Sequence, residues 1–437
     1  MTPLLLIVLA ILALIGVPLF AVLGLGSLVA FARDGIAASA VIAEMARLAS
    51  SPVLVSIPLF AFAGYLFAEG GTARRLVHLS RALLGWMPGG LAIVSLVTCA
   101  VLTAFTGASG VTIVAAGGLL MPALLAERYS ERFSLGLLTT SGSLGLLFPP
   151  SLPLILYSYV ATSAAGGLTL DPSEAPSVDR LFLAGILPGV FLIVALSLLS
   201  VREGRRPDRV RTAFAWGNVW PALRGALFEL PLPILVLGGI YSGTLTVLEA
   251  ASVTALYALV SQVWIYRDVP MRRIPAIAAE SMTLVGGILI ILGSALGLTN
   301  YLIDAQVPLH LLEWVKEVIH SRLVFLLVLN VFLLIVGCLM DIFSALIVVV
   351  PLIVPLAQQY GVNLVHLGII FLTNLEIGYS TPPVGLNLFI SSFRFRRPVV
   401  EVYGASVPWL LMMLAALFVI TYLPDLSLAM LRWIPVR

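Results

Sequence analysis

The sequence predicts an all-α polytopic membrane protein made of two inverted-topology repeats, each holding a re-entrant hairpin and a broken transmembrane helix. Three observations lead there. Hydrophobic residues make up 60% of the 437 and charged residues only 10%, so a soluble globule would lack the polar surface to cover itself. Two apolar stretches of spanning length are interrupted by TTSGSLGLLFPP at 139–150 and by TNLEIGYSTPP at 373–383. Proline removes a backbone donor and clashes with the turn before it, so these helices should break just before Pro149 and Pro382. Finally, a shift of 233 positions carries Pro149 to Pro382, Pro150 to Pro383, Gly145 to Gly378, Thr140 to Thr373 and Pro122 to Pro355. Coincidences of this number in one frame mark an internal repeat of about half the chain.

Apolar runs at 3–31 and 52–69 each fit one crossing of a bilayer. The first is too long for a signal-peptide core and lacks a basic lead, so it reads as a retained helix. The run at about 89–127 is interrupted by TAFTGASG and reads as the first hairpin. The first broken helix follows at 133–163, and a crossing at 181–200 closes the first repeat, residues 1–200. Residues 201–224 are the most polar on the inner side and read as a cytoplasmic connector, with an interfacial helix anchored by Trp216 and Trp220. The second repeat, 225–437, holds crossings at 225–241, 246–266 and 281–298. It continues with a hairpin at about 322–358 interrupted by GCLMD, a broken helix at 366–393 and a last crossing at 406–423.

Charge orients these elements. With a cytoplasmic N-terminus and two hairpins, seventeen of the 24 Lys and Arg residues fall on the inner side, in clusters such as Arg74, Arg75 and Arg81 or Arg202, Arg205 and Arg206. Arg33, Arg47, Arg180, Lys316, Arg322, Arg432 and Arg437 stay outside, which obeys the positive-inside rule. The first hairpin then opens from the cytoplasm and the second from the outside, and the C-terminus ends outside. The outer stretch 166–180 carries Asp171, Glu174 and Asp179 among Pro and Ser. It reads as a solvated loop or as a docking surface for a soluble partner.

Several classes are excluded. The arginines form short clusters and no basic face, which argues against nucleic-acid binding. Cys99 and Cys338 sit in apolar segments as small hydrophobes. His78, His310, His320 and His366 show no ligand spacing, and no nucleophile triad or nucleotide loop supports an enzyme. What remains is polar chemistry at membrane depth. Asp341, at the tip of the second hairpin, is a carboxylate near the midplane, where it costs roughly 2.5 to 3.5 kcal/mol on insertion scales unless something offsets it. It reads either as a ligand for a hard cation such as Na⁺ or as a cap on the backbone N–H groups of the second arm. Glu376 reads as an alternative, proton-binding site, and Glu249 as an interfacial group. Thr106, Ser109, Thr139, Thr140, Ser141, Ser143, Asn374, Ser380, Thr381 and Asn387 gather at the tips and breaks. Any one such hydroxyl often bonds back to its own turn. Together with half-helix N-termini they are the groups open to an anionic substrate, because no Arg or Lys reaches this depth.

At TGASGVTIVAAGGLLMPALL, TTSGSLGLLFPPSLPLILY, GCLMDIFSALIVVVPLIVPLA and TNLEIGYSTPPVGLNLFISS, the chain resembles the large membrane subunit of tripartite ATP-independent periplasmic (TRAP) transporters, C4-dicarboxylate-like branch. The resemblance covers essentially the whole chain. It implies an elevator-type arrangement of scaffold and transport domain in the bacterial inner membrane, with Na⁺ as coupling ion and no other cofactor. It implies three partners: a small membrane subunit, a periplasmic substrate-binding protein and a small organic acid as substrate. The family's Na⁺ sites fall on Thr106, Gly107, Ala108, Ser109, Gly142 and Gly145 in the first half, and on Asp341, Gly378 and Thr381 in the second. Substrate would lie among Thr140, Ser141, Ser143, Pro149, Pro150, Asn374, Ser380, Pro382, Pro383 and Asn387. One position departs: family members often read Ser-Gly-Ser-Ser at the first tip, so Ala108 can offer only its carbonyl. The alternative function is a stand-alone Na⁺- or H⁺-coupled carboxylate or citrate carrier that needs no binding protein.

Overall fold

The structure, a computed structural model, describes residues 51–165, 175–207, 214–304 and 315–433 continuously, position 313, and a discontinuous set between 8 and 48 that is unbroken over 15–33. Among the described residues all regular structure is helical. Eight helices are long and apolar enough to cross a membrane, or up to nine when the bent pair Glu131–Leu147 and Leu152–Ala164 counts as one span. The chain is a multi-pass membrane protein.

α1 (Leu19–Arg33) starts only after a turn at 15–18, where Gly16 has φ +89° and Pro18 lacks a donor. The run 3–31 is therefore not the single unbroken crossing its length suggests. α2 (Pro52–Glu69) matches its expected bounds, with Pro at the first helical position. Within the expected inner loop lies α3 (Thr72–Leu84), amphipathic, with Ala73, Leu76 and Leu79 buried and Arg74 and Arg81 exposed. The first hairpin is α4 (Gly90–Thr106) and α5 (Ser109–Ala126). Gly107 turns the chain between them with φ +64°, a conformation that would strain a residue with a Cβ.

The first broken helix comprises α6 (Glu131–Ser141), a 3₁₀ turn at Leu144–Leu147 and α7 (Leu152–Ala164). The α-helix tightens into the 3₁₀ turn after Ser141, and the segment bends by 48° between Leu147 and Leu152, at the Pro-Pro pair, where the break was expected. The hydroxyl of Thr103 donates to the carbonyl of Gly142 at 2.7 Å, so a neighbouring arm takes an acceptor the helix would otherwise use. α8 (Val178–Gly204) then extends four residues past the expected end of the first repeat. Residues 166–174 and 208–213, which hold Asp171, Glu174 and part of the connector, lie outside the described residues.

In the second half, α9 (Trp216–Gly225) is the expected interfacial helix, with Trp216 and Trp220 exposed. α10 (Pro231–Tyr241) has 11 residues, a rise of about 17 Å, short of a hydrocarbon core of about 30 Å. α10 alone is therefore shorter than a full crossing. In the turn before it, the Glu229 carboxylate accepts from Arg75 Nε at 2.5 Å. α11 (Val247–Leu259) opens on a capping box of Thr246 and Glu249, and α12 (Ile274–Asp304) follows. The second hairpin is α13 (Arg322–Leu339) and α14 (Ile342–Gln359). The second broken helix is α15 (Leu364–Gly378) and α16 (Leu386–Phe395), before α17 (Val399–Tyr422) and α18 (Pro424–Trp433).

The 233-residue shift carries the bounds of α5 onto those of α14, and both Pro-Pro bonds, Pro149-Pro150 and Pro382-Pro383, are cis. Contacts repeat as well. Gly145 packs on the backbone of Ala104, and their counterparts Gly378 and Gly337 pack on one another. Across the halves the pattern is reciprocal: α5 packs on α16 and α14 on α7, α6 on α17 and α15 on α8. Such mutual exchange is what a two-fold relation produces. Outside this core, α1, α2, α11 and α12 pack together as a second group, joined to it where α2 meets α4, α5 and α7 and where α12 meets α14.

That junction is tight. A Cβ at Gly64 of α2 would collide with the Phe105 carbonyl beside the first tip, whereas one at Gly238 of α10 meets open space. Gly64→Ala should cost about 1 to 3 kcal/mol of stability by overpacking. Gly238→Ala should be neutral or slightly stabilising. Unfolding of the two variants in mixed micelles checks this; equal midpoints would mean that α2 does not rest on the tip.

Candidate functional site

Each hairpin tip meets the break of its own half. In the first half Thr103 Oγ1 links Thr112 Oγ1 of the second arm, at 2.7 Å, to the Gly142 carbonyl. A Cβ at Gly142 would lie 3.4 Å from the Ser109 carbonyl, and one at Gly107 would press on Leu152. Thr106, Gly107, Ala108, Ser109, Gly142 and Gly145 are thus gathered at one place. Thr103 and Thr112, which tie this cluster together, were not among the expected residues. Nothing in their local sequence separates them from other membrane threonines.

The second cluster is assembled differently. Asp341 is the N-cap of α14: Oδ1 accepts from the N–H groups of Phe343 and Ser344, both at 3.0 Å, and Oδ2 accepts from the Ser344 hydroxyl. The capping role is the one its contacts carry. The carboxylate is nevertheless exposed, and a helix N-terminus offsets its charge. Tyr379 joins tip to break by accepting from Ile342 N–H at 2.6 Å, and Gly385 N–H donates to the Cys338 carbonyl at 3.1 Å. Gly378 and Thr381 follow, linked by the Thr381 N–H to Gly378 carbonyl bond. Asp341, Gly378 and Thr381 therefore share one neighbourhood.

Of the residues expected around a substrate, several hydroxyls are turned inward. Thr139, Thr140 and Thr373 donate to carbonyls four residues back, at 2.7, 2.9 and 2.7 Å, and Ser141 to one three back. This satisfies them within their own turns. Ser143 reaches the other half and donates to the Glu376 carbonyl at 3.2 Å. Asn374 donates to Asn330 Oδ1 at 2.7 Å, and Asn330 in turn donates to Thr421. Asn330 was legible as a lone amide in an apolar run, yet its partners are distant in sequence. Asn387 donates to Ser380 at 3.5 Å, while its Oδ1 is buried without a partner. His366 is held by Ser427 and the Thr421 carbonyl, as a structural histidine. Among the described residues no group of His, Cys, Asp and Glu is arranged to hold a transition metal.

The two clusters differ in exposure. Thr106, Gly107, Ser109, Pro149 and Pro150 are buried, whereas Leu339, Asp341, Pro382 and Pro383 are exposed. Repeat-related elements thus stand in two environments within one molecule.

The family model for the DctM component of the tripartite ATP-independent periplasmic transporter matches residues 5–426. The C4-dicarboxylate TRAP transporter large permease protein DctM of Rhodobacter capsulatus is 35% identical over 380 residues, 86% of each chain. The isethionate TRAP transporter permease protein DctMQ of Oleidesulfovibrio alaskensis is 30% identical over 428 residues, 96% of this chain and 64% of that one. Among solved structures, the Alcanivorax borkumensis YdaH transporter, described as having an unusual topology, superposes with a TM-score of 0.63 over 90% of this chain and 88% of its own, at 15% identity. That last likeness concerns the fold alone.

Proposed function

We propose, for a chain that belongs to the DctM family of tripartite ATP-independent periplasmic transporters, that it is the permease of a Na⁺-coupled importer of C4-dicarboxylates. Its relatives are transporter subunits and not enzymes. The observation that carries the proposal is the pair of tip-and-break clusters, alike in chemistry and repeat position but unequal in exposure. Alternating access needs two halves that exchange such environments. Asp341 Oδ2, the Thr381 hydroxyl and the carbonyls around Gly378 form a hard-oxygen set suited to Na⁺. The first cluster offers the Thr106 hydroxyl and the carbonyls of Gly107 and Ala108. The carboxylates of the substrate would meet α7 and α16 at their N-terminal ends, where backbone N–H groups and the helix dipole favour an anion.

In this reading the tips and breaks move together against the group of α1, α2, α11 and α12, an elevator movement. A periplasmic binding protein delivers the acid and a small membrane subunit packs on the scaffold, in the bacterial inner membrane. Proteoliposomes holding this chain, the small subunit and the binding protein should take up succinate saturably and only with inward Na⁺. Uptake without the binding protein would favour the stand-alone carrier, and none under any ion gradient would sink the proposal.

Orientation is tested separately. Cysteines at Ser163, exposed at the end of α7, and at Arg206, exposed beyond α8, in a version lacking Cys99 and Cys338, should label from opposite sides. Labelling of both from one side would contradict the inverted arrangement.

A further inference from the structure

A cavity of about 490 Å³ opens between α3 and α9, two helices that pack on one another. Arg74, His78 and Arg81 line it from α3, spaced i, i+4 and i+7 and so on one face of that helix. Arg75, beside Arg74 in the chain, is tied to Glu229 and Asp268. That fixes the roll of α3 and keeps the other three groups toward the cavity. Asn218 lines it from α9, and Trp86 and Phe214 complete the wall as an edge-to-face pair with ring centres 6.4 Å apart.

The charge here is unbalanced. Among the described residues no Asp or Glu lines the cavity. Arg74 and His78 are exposed and make no hydrogen bond or ion pair with a described residue, whereas Arg75 is already engaged by two carboxylates. Arg81 gives Nη2 to Glu127 at 2.9 Å, which leaves the rest of its guanidinium unbonded. An apolar shelf adjoins these cations: Leu83, Trp86, Phe214 and Trp216 are exposed. The Trp86 ring is held by its indole N–H, which donates to the Leu83 carbonyl at 2.8 Å, and Phe214 meets Trp216 edge-on at 5.2 Å. α3 begins just after the spanning helix α2 and ends just before the hairpin arm α4. The shelf therefore stands at a membrane edge, where tryptophan is enriched.

We propose that the cavity between α3 and α9 binds the phosphate headgroup of an anionic phospholipid, whose acyl chains lie on the aromatic shelf. Guanidinium suits phosphate because its planar fork of N–H groups meets two oxygens at once, and basic pockets beside membrane helices take such headgroups. Soluble phosphate would match the arginines and leave the shelf uncovered. A zwitterionic lipid would cover the shelf but bring an ammonium group beside two arginines, which like charge disfavours. An anionic lipid matches both. Bound there, it braces α3 against α9 where the chain passes from α2 into the first hairpin. The proposal needs the chain to be a membrane protein and is independent of the solute it moves.

The test reads binding to the full chain, purified in micelles of a neutral detergent. Phosphatidylglycerol should raise the unfolding midpoint saturably, and phosphatidylcholine or inorganic phosphate should not. Arg74→Gln, which strands no partner, should weaken the fitted phosphatidylglycerol affinity roughly fivefold. Arg272→Gln, at an exposed arginine outside the cavity, should leave that affinity unchanged. Equal shifts with both lipids would overturn the proposal, as would equal losses in both variants, which reduce the effect to general surface charge. A matching shift with inorganic phosphate would make this a site for soluble oxyanions and overturn it too. Should Arg74→Gln not accumulate, native mass spectra of the wild type with both lipids at equal concentration decide: preferential retention of phosphatidylglycerol supports the site, and equal retention overturns it.

Discussion

Asp341→Asn should raise the Na⁺ concentration for half-maximal uptake by roughly ten- to a hundredfold, while leaving the protein folded and inserted. Asparagine keeps an oxygen for the N–H groups of Phe343 and Ser344 and is nearly as good a cap as aspartate. It removes the charge, and its amide cannot accept the Ser344 hydroxyl that Oδ2 accepts. Loss of a charge-assisted contact is worth about 1.4 to 2.8 kcal/mol, which is the stated range in affinity. If Asp341 serves only as the cap its contacts describe, the Na⁺ midpoint stays unchanged in the Asn variant. Asp341→Ala would then lower stability by about 0.5 to 2 kcal/mol. Uptake measured against Na⁺ separates the two. Glu249→Gln, in the exposed capping box of α11, is the control and should not move the midpoint.

Arg75→Met should destabilise the protein by about 3 to 5 kcal/mol. Arg75 lies in α3 and is only 13% exposed in its side chain, against 4% for Glu229 and 20% for Asp268. Its guanidinium reaches both carboxylates at 2.5 Å and Gln262 at 3.0 Å, and it stacks on Tyr266 at 3.6 Å from the ring centre. Methionine fills similar volume but leaves the buried Glu229 with the Tyr266 and Thr72 hydroxyls as donors and no cation. Adding Glu229→Gln to the variant should recover part of the loss, because the uncompensated charge is then gone. Unfolding midpoints of the single and double variants measure both terms. A loss under about 1 kcal/mol would place this cluster with ordinary exposed ion pairs.

By itself the sequence determined the class, the turns at 106–109 and 339–342 between pairs of apolar helices, and the existence of both breaks. Those features are written in hydropathy, prolines and glycines, which act on the turns where they occur. It also placed Asp341 at a tip and offered capping as one of its roles, since an aspartate before an apolar run is a local signal. One local reading failed: the 225–241 run forms an α-helix only over Pro231–Tyr241. The first broken segment bends at 148–151, as its Pro-Pro pair implies, but the tightening after Ser141, where Thr103 of another helix bonds the Gly142 carbonyl, was not legible. Which hydroxyls are available was undecidable from the chain alone. A helical Thr or Ser always has a carbonyl three or four residues back, and only packing settles whether it turns there, as Thr140 does, or crosses to the other half, as Ser143 does. The joining of Ser143 to Glu376, the link from Asn374 through Asn330 to Thr421, and the burial of one tip beside the exposure of its counterpart all belong to the tertiary structure. Each depends on which residues, tens to hundreds of positions apart, exclude water from one another.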